Sequence, residues 1–93
     1  MNRSQTLVSI ERPERYGKQL ASHLGNKIPC VTTDKGWELT FDVGIATITP
    51  RPDGLEMTAS AETSEGVARI QFVLDKHLKQ FTTKLPDFEI AWH

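Results

Sequence analysis

A chain of 93 residues is the length of one domain around one core, which excludes a second domain. Hydrophobic residues at 38% and charged residues at 25%, with six Gly and five Pro, exclude collagen-like, coiled-coil and wholly disordered chains. Eleven Lys and Arg against twelve Asp and Glu leave a formal net charge of −1, too little basic field to gather phosphate backbones or anionic lipid. Nucleic acid and membranes are therefore not expected as partners, and no run approaches the roughly 18 apolar residues that span a bilayer. The lone cysteine, Cys30, has no partner for an internal disulfide, and Met1-Asn2-Arg3-Ser4-Gln5 lacks the apolar centre of a signal peptide. The expected compartment is a reducing cytoplasm.

Gln5 to Ile10 is short and β-branched, with Val8 and Ile10 on one side, which predicts an opening strand that stops at Arg12-Pro13. Proline's fixed φ suits the first turn of a helix, and from Pro13 the apolar residues Tyr16, Leu20 and Leu24 recur every fourth position. The spacing predicts a helix from about Pro13 to Leu24. Gly25-Asn26 is expected to close it in a left-handed conformation, with Lys27 facing the negative end of the dipole.

From Cys30 the period drops to two. Cys30 to Thr33 leads into Asp34-Lys35-Gly36, read as a three-residue hairpin loop with glycine free to take positive φ. Trp37, Leu39 and Phe41 alternate with Glu38, Thr40 and Asp42. Gly44 opens the next strand, with Ala46 and Ile48 inward, and Pro50-Arg51-Pro52-Asp53-Gly54 is expected to end it. Leu55, Met57, Ala59 and Ala61 then alternate with Glu56, Thr58, Ser60 and Glu62. Thr63 is placed to cap a second helix, whose stripe Val67, Ile70, Leu74, Leu78 and Phe81 predicts a span from about Ser64 to Phe81. Leu85-Pro86 breaks the chain, and Phe88, Ile90 and Trp92 predict a closing strand. The order β-α-β-β-β-β-α-β, with one apolar stripe per helix and one apolar face per strand, predicts an α+β two-layer sandwich: an antiparallel sheet with two helices on one face and a polar face left open.

Arg12, Arg15, Gln19 and His23 project onto a strip beside the apolar arc of the first helix, and His77 lies at the edge of the stripe on the second. Helices lying side by side would bring His23 and His77 to their seam, with Arg15 and Gln19 nearby. Imidazoles beside a guanidinium suit an anion held by hydrogen-bond donors or a metal held by neutral nitrogens. Ordinary partly buried histidines would look the same in sequence. Metal binding is not expected, because Cys30, His23, His77 and His93 are scattered without the paired spacing of a zinc site. No cofactor-binding or catalytic motif occurs: no phosphate-binding Gly-rich loop, no G-x-S-x-G and no H-E-x-x-H. Cys30 would need a base and an electropositive pocket to act as a nucleophile. Glu38, Asp42, Glu56, Glu62 and Glu89 fall on the outer sides of strands. Phe72 breaks the pattern, projecting opposite the stripe among Arg69, Lys76 and Lys79; a single exposed apolar residue is ordinary, and the sharper alternative is a self-association or partner surface.

Arg12-Pro-Glu-Arg-Tyr-Gly-Lys-Gln-Leu-Ala-Ser-His23, followed by Lys27-Ile-Pro29 and by His77-Leu-Lys-Gln-Phe81, resembles the bacterial domain-of-unknown-function family 2218. The likeness runs from Val8 to Trp92. It implies a small bacterial domain, sometimes joined to siderophore-interacting proteins, with no agreed activity. The matching positions are Arg12, Pro13, Arg15, Tyr16, Gln19, Leu20, His23, His77 and Phe81. The chain departs at Asn26, near where relatives often carry a further histidine. Two functions follow as expectations. One is a non-enzymatic binding or accessory module, able to form a homodimer, that takes a small anionic ligand or protein partner near Arg12, Arg15, Gln19, His23 and His77. The other is a small enzyme with His23 or His77 as general acid/base and Arg15 orienting an anionic substrate.

Overall fold

The computed structural model describes residues 2–81, 90, 92 and 93. Seven elements follow in order: β1 (Asn2–Val8), α1 (Pro13–Leu24), β2 (Cys30–Thr32), β3 (Trp37–Thr40), β4 (Gly44–Arg51), β5 (Gly54–Ala61) and α2 (Ser64–Phe81). The strands form one antiparallel sheet in the order β1-β5-β4-β3-β2, so β1 and β2 are its two edges. Both helices lie on one face, α1 over β3, β4 and β5 and α2 over β1, β4 and β5. This is the α+β two-layer sandwich its periodicities predict.

The core lies between the layers. Leu20, Ala21 and Leu24 of α1 and Val67, Ile70, Leu74 and Leu78 of α2 meet Val8, Leu39, Ala46, Ile48, Leu55, Met57, Ala59 and Ala61 of the sheet. Both helices keep the limits their sequence predicts, because each has a local start signal. Pro13 occupies the first turn of α1. At α2 the Thr63 hydroxyl accepts the Gly66 backbone N–H at 3.0 Å, satisfying one of the helix's orphan donors. Gly17 lets α1 settle close to the sheet, since a Cβ there would stand 2.9 Å from Leu55 Cδ1 and 3.1 Å from Trp37 Cζ3.

Four local expectations need correction. β1 covers Asn2–Val8 rather than Gln5–Ile10, and its inward residues are Ser4, Thr6 and Val8. β4 runs through Pro50 to Arg51, with Arg51 paired to Gly54, so only Pro52-Asp53 turns the chain. Gly25 is right-handed, at φ −63°. Its glycine is explained by crowding, since a Cβ would lie 2.9 Å from the Ala21 carbonyl oxygen and 3.3 Å from Cys30 Cβ. The β2–β3 loop is tighter than three residues, because Thr33 and Gly36 exchange backbone hydrogen bonds around Asp34-Lys35. The closing strand falls largely outside the described residues, as does the Leu85-Pro86 break. Of that stretch, Ile90 and Trp92 pack half-buried against the core. Gln5 and His93 exchange backbone hydrogen bonds of 3.0 and 2.8 Å along the outer edge of β1.

Candidate functional site

The predicted strip on α1 divides into two places. At its N-terminal end Arg12, Pro13, Glu14, Arg15 and Lys18 face Pro50, Arg51 and Pro52 of the β4–β5 corner across an open hollow of about 840 Å³. Four cationic side chains line it against one carboxylate, Glu14. Arg51 is engaged elsewhere, with Nη2 2.9 Å from Glu56 Oε2. Arg12, Arg15 and Lys18 have no side-chain partner among the described residues. Arg12 is also the only non-glycine residue with positive φ among them, at 53°. Such a conformation is uncommon for a residue with a side chain, and the carbonyl of Arg12 accepts the Tyr16 N–H at 3.2 Å to begin the helix.

The other place lies at the far end of α1. The His23 and His77 ring centres are 5.0 Å apart with the planes inclined at 43°, and the Phe81 ring meets His23 edge-on at 5.3 Å. The two histidines thus meet at the helix seam that the projection indicates. His77 Nδ1 lies 2.7 Å from the Val73 carbonyl oxygen. A carbonyl only accepts, so Nδ1 carries the proton and Nε2 of the neutral ring presents a lone pair. His23 itself is exposed, and His77 is half-buried.

These two places do not form a single pocket. Arg15 and His23 stand eight positions apart on the helix, or about 12 Å at the α-helical rise. Gln19, exposed midway, belongs to neither. Lys18 and Arg51 were not singled out by the sequence. Lys18 stands three residues from Arg15 and so on a neighbouring part of the helix surface. Arg51 joins them only through the packing of the β4–β5 corner against α1.

Other candidates resolve differently. Burial pushes the Cys30 thiol above its ordinary value, the opposite of what a nucleophile needs. Phe72 is 66% exposed on the outer side of α2. Glu38 and Glu56 stand half-buried on the open sheet face, and Asp42 and Glu62 are exposed. Glu89 lies outside the described residues. The open face is polar at its centre, where the Thr47 and Thr58 hydroxyls hydrogen-bond and Thr58 is only 5% exposed. Leu7, Ile45 and Val31 nevertheless leave apolar surface on this face or at its margins. Asp75 on α2 accepts the Trp92 indole N–H at 3.0 and 3.2 Å, and burial raises its carboxyl against the opposing effects of Trp92 and Lys79. Among the described residues no three metal-ligating side chains cluster, and no helix is long and apolar enough to cross a membrane.

Two helices on one face of a five-stranded antiparallel sheet, with a cationic hollow beside the N-terminal end of α1 and a histidine pair near the C-terminal ends of both helices, define a small α+β domain. The model of a family of uncharacterized proteins conserved in bacteria, DUF2218, matches residues 5–93, and the chain belongs to that family. This agrees with the resemblance carried by the Arg12–His23 and His77–Phe81 motifs. The chain is also similar to the protein in an NMR structure of PA4090 from Pseudomonas aeruginosa. The two are 26% identical with a TM-score of 0.82, over 100% of this chain and 96% of that one. No curated protein matches the chain.

Proposed function

We propose that this domain is a non-enzymatic binding module for a small anionic ligand, held in the hollow between α1 and the β4–β5 corner. The observation that carries the reading is the state of Arg12, Arg15 and Lys18: three cationic side chains around one hollow, with no side-chain partner among the described residues. A carboxylate or phosphate would supply what they lack, and a guanidinium can meet either with two parallel hydrogen bonds. Pro13, Pro50 and Pro52 stiffen the walls, reducing what binding must spend on ordering them.

An enzyme using His23 or His77 on an anion oriented by Arg15 is less well supported. One substrate would have to bridge about 12 Å of helix to reach both ends, far beyond the roughly 3 Å reach of a general base.

The test is an amide NMR titration of the full chain with inorganic phosphate and, separately, citrate. The expected result is a saturable shift confined to the amides of Arg12, residues 14–18 and Arg51, with Arg15→Ala weakening affinity about tenfold, as for the loss of one charge-assisted contact. Shifts that do not saturate, or that survive unchanged in both Arg12→Ala and Arg15→Ala, would overturn the proposal.

A further inference from the structure

The scatter of potential metal ligands along the sequence disappears, for two of them, in three dimensions. We infer that His23 and His77 form a two-imidazole site for a divalent transition-metal ion, bridging α1 and α2 at the end of their seam away from the cationic hollow. The inference does not depend on the anion-binding proposal.

The first observation is the separation. A tetrahedral zinc ion bonded to two ring nitrogens at about 2.0–2.1 Å sets the ring centres about 5 Å apart. His23 and His77 already stand at 5.0 Å, with planes inclined rather than stacked flat. The second is the tautomer of His77. Donation from Nδ1 to the Val73 carbonyl leaves Nε2 as the nitrogen with the lone pair, the arrangement by which metal-ligating histidines are commonly oriented from behind. The third is the setting of His23. Phe81, four residues beyond His77 and so on the same face of α2, meets the His23 ring edge-on at 79° and limits its rotation. The exposure of His23 leaves an entry path for the ion.

Ligand chemistry names the class. Two neutral nitrogens suit zinc, nickel or copper and serve magnesium or calcium poorly, since those ions require oxygen ligands. Two protein ligands leave the other positions of the ion to water. An ion held in this way ties the last turn of α1 to the last turns of α2, so it binds the folded chain and stabilises it by mass action.

Zinc alone, titrated into the full chain near pH 7.5, is the probe, with nitrogen NMR of the three histidine rings as the readout. The expected result is a joint shift of His77 Nε2 and one nitrogen of His23, saturating at one zinc per chain. His77 Nδ1 keeps its proton, and His93 does not move with the same concentration dependence. His23→Ala, which removes an exposed side chain and leaves the fold intact, is expected to weaken zinc binding at least tenfold and to abolish the rise in thermal midpoint that zinc produces. His77→Ala should do the same, but it also removes the contact with Val73, so His23→Ala is the decisive variant. No saturable shift, equal movement of His93, or unchanged affinity in His23→Ala would each overturn the site.

Discussion

Trp92 and Asp75 provide a measurable link between the C-terminal residues and α2. The indole N–H lies 3.0 and 3.2 Å from the two carboxylate oxygens of a half-buried Asp75. A hydrogen bond to an ionised acceptor contributes about 1.5–3 kcal/mol net, and partial solvent access places this one near the lower end. A double-mutant cycle of Asp75→Ala and Trp92→Phe should therefore give a coupling of about 1.5 kcal/mol at pH 7 by urea denaturation followed by far-UV circular dichroism. Burial is the larger influence on Asp75 and raises its folded value above the unfolded one of about 3.9, so the native state holds the proton more tightly. The stability this confers is present in full below the unfolded value and is lost as pH rises through the folded one. The indole works the other way, favouring the ionised form. Its removal should thus destabilise the protein more at pH 7 than near pH 3.5, and Asp75→Asn should remove the decline. A coupling that is absent, or equal at the two pH values, would refute the assignment of Asp75 as the acceptor.

Leu74→Ala, at a fully buried position of the α2 stripe, should cost about 2–5 kcal/mol in urea denaturation, whereas Phe72→Ala, two residues away and exposed, should stay within about 0.5 kcal/mol for the isolated chain. Thr63→Ala removes the hydroxyl that caps Gly66 and should lower stability by about 1 kcal/mol in the same assay. Gly44→Ala would force a Cβ against the Ser60 carbonyl of the neighbouring central strand, where the backbone cannot yield, and should destabilise by about 1–3 kcal/mol or more. Cys30, with its thiol raised by burial, should react with iodoacetamide at pH 7.5 more slowly than cysteine in an unstructured peptide; equal or faster alkylation would show an activated thiolate.

The helices were the most legible part of the sequence, because Pro13, Thr63 and the two apolar stripes act locally and at the right spacing. The first strand begins earlier in the chain than its β-branched residues indicate. Its inward positions Ser4 and Thr6 are small and polar, and only tertiary structure shows that the Ser4 hydroxyl is matched by the His93 carbonyl at 3.0 Å. Gly25 looked like a left-handed cap by residue type, whereas the reason for it is the close approach of Cys30. Helical projection could place His23 and His77 on facing edges because both lie near helix ends and the helices are neighbours. The same strip could not reveal that Arg12 and Arg15 line a hollow apart from the histidines, since Arg51 comes from a strand pairing that no local pattern encodes.

The two margins of the sheet are treated unequally. β2 is three residues long and follows Pro29, so it offers little continuous backbone to another chain. β1 is longer, but its outer rim is already occupied at Gln5 by His93. A sheet guarded in this way resists growing by strand addition, the route by which exposed rims template aggregates and amyloid. The Gln5–His93 pairing therefore does two things at once, closing part of that rim and holding in register the stretch whose Trp92 anchors to α2.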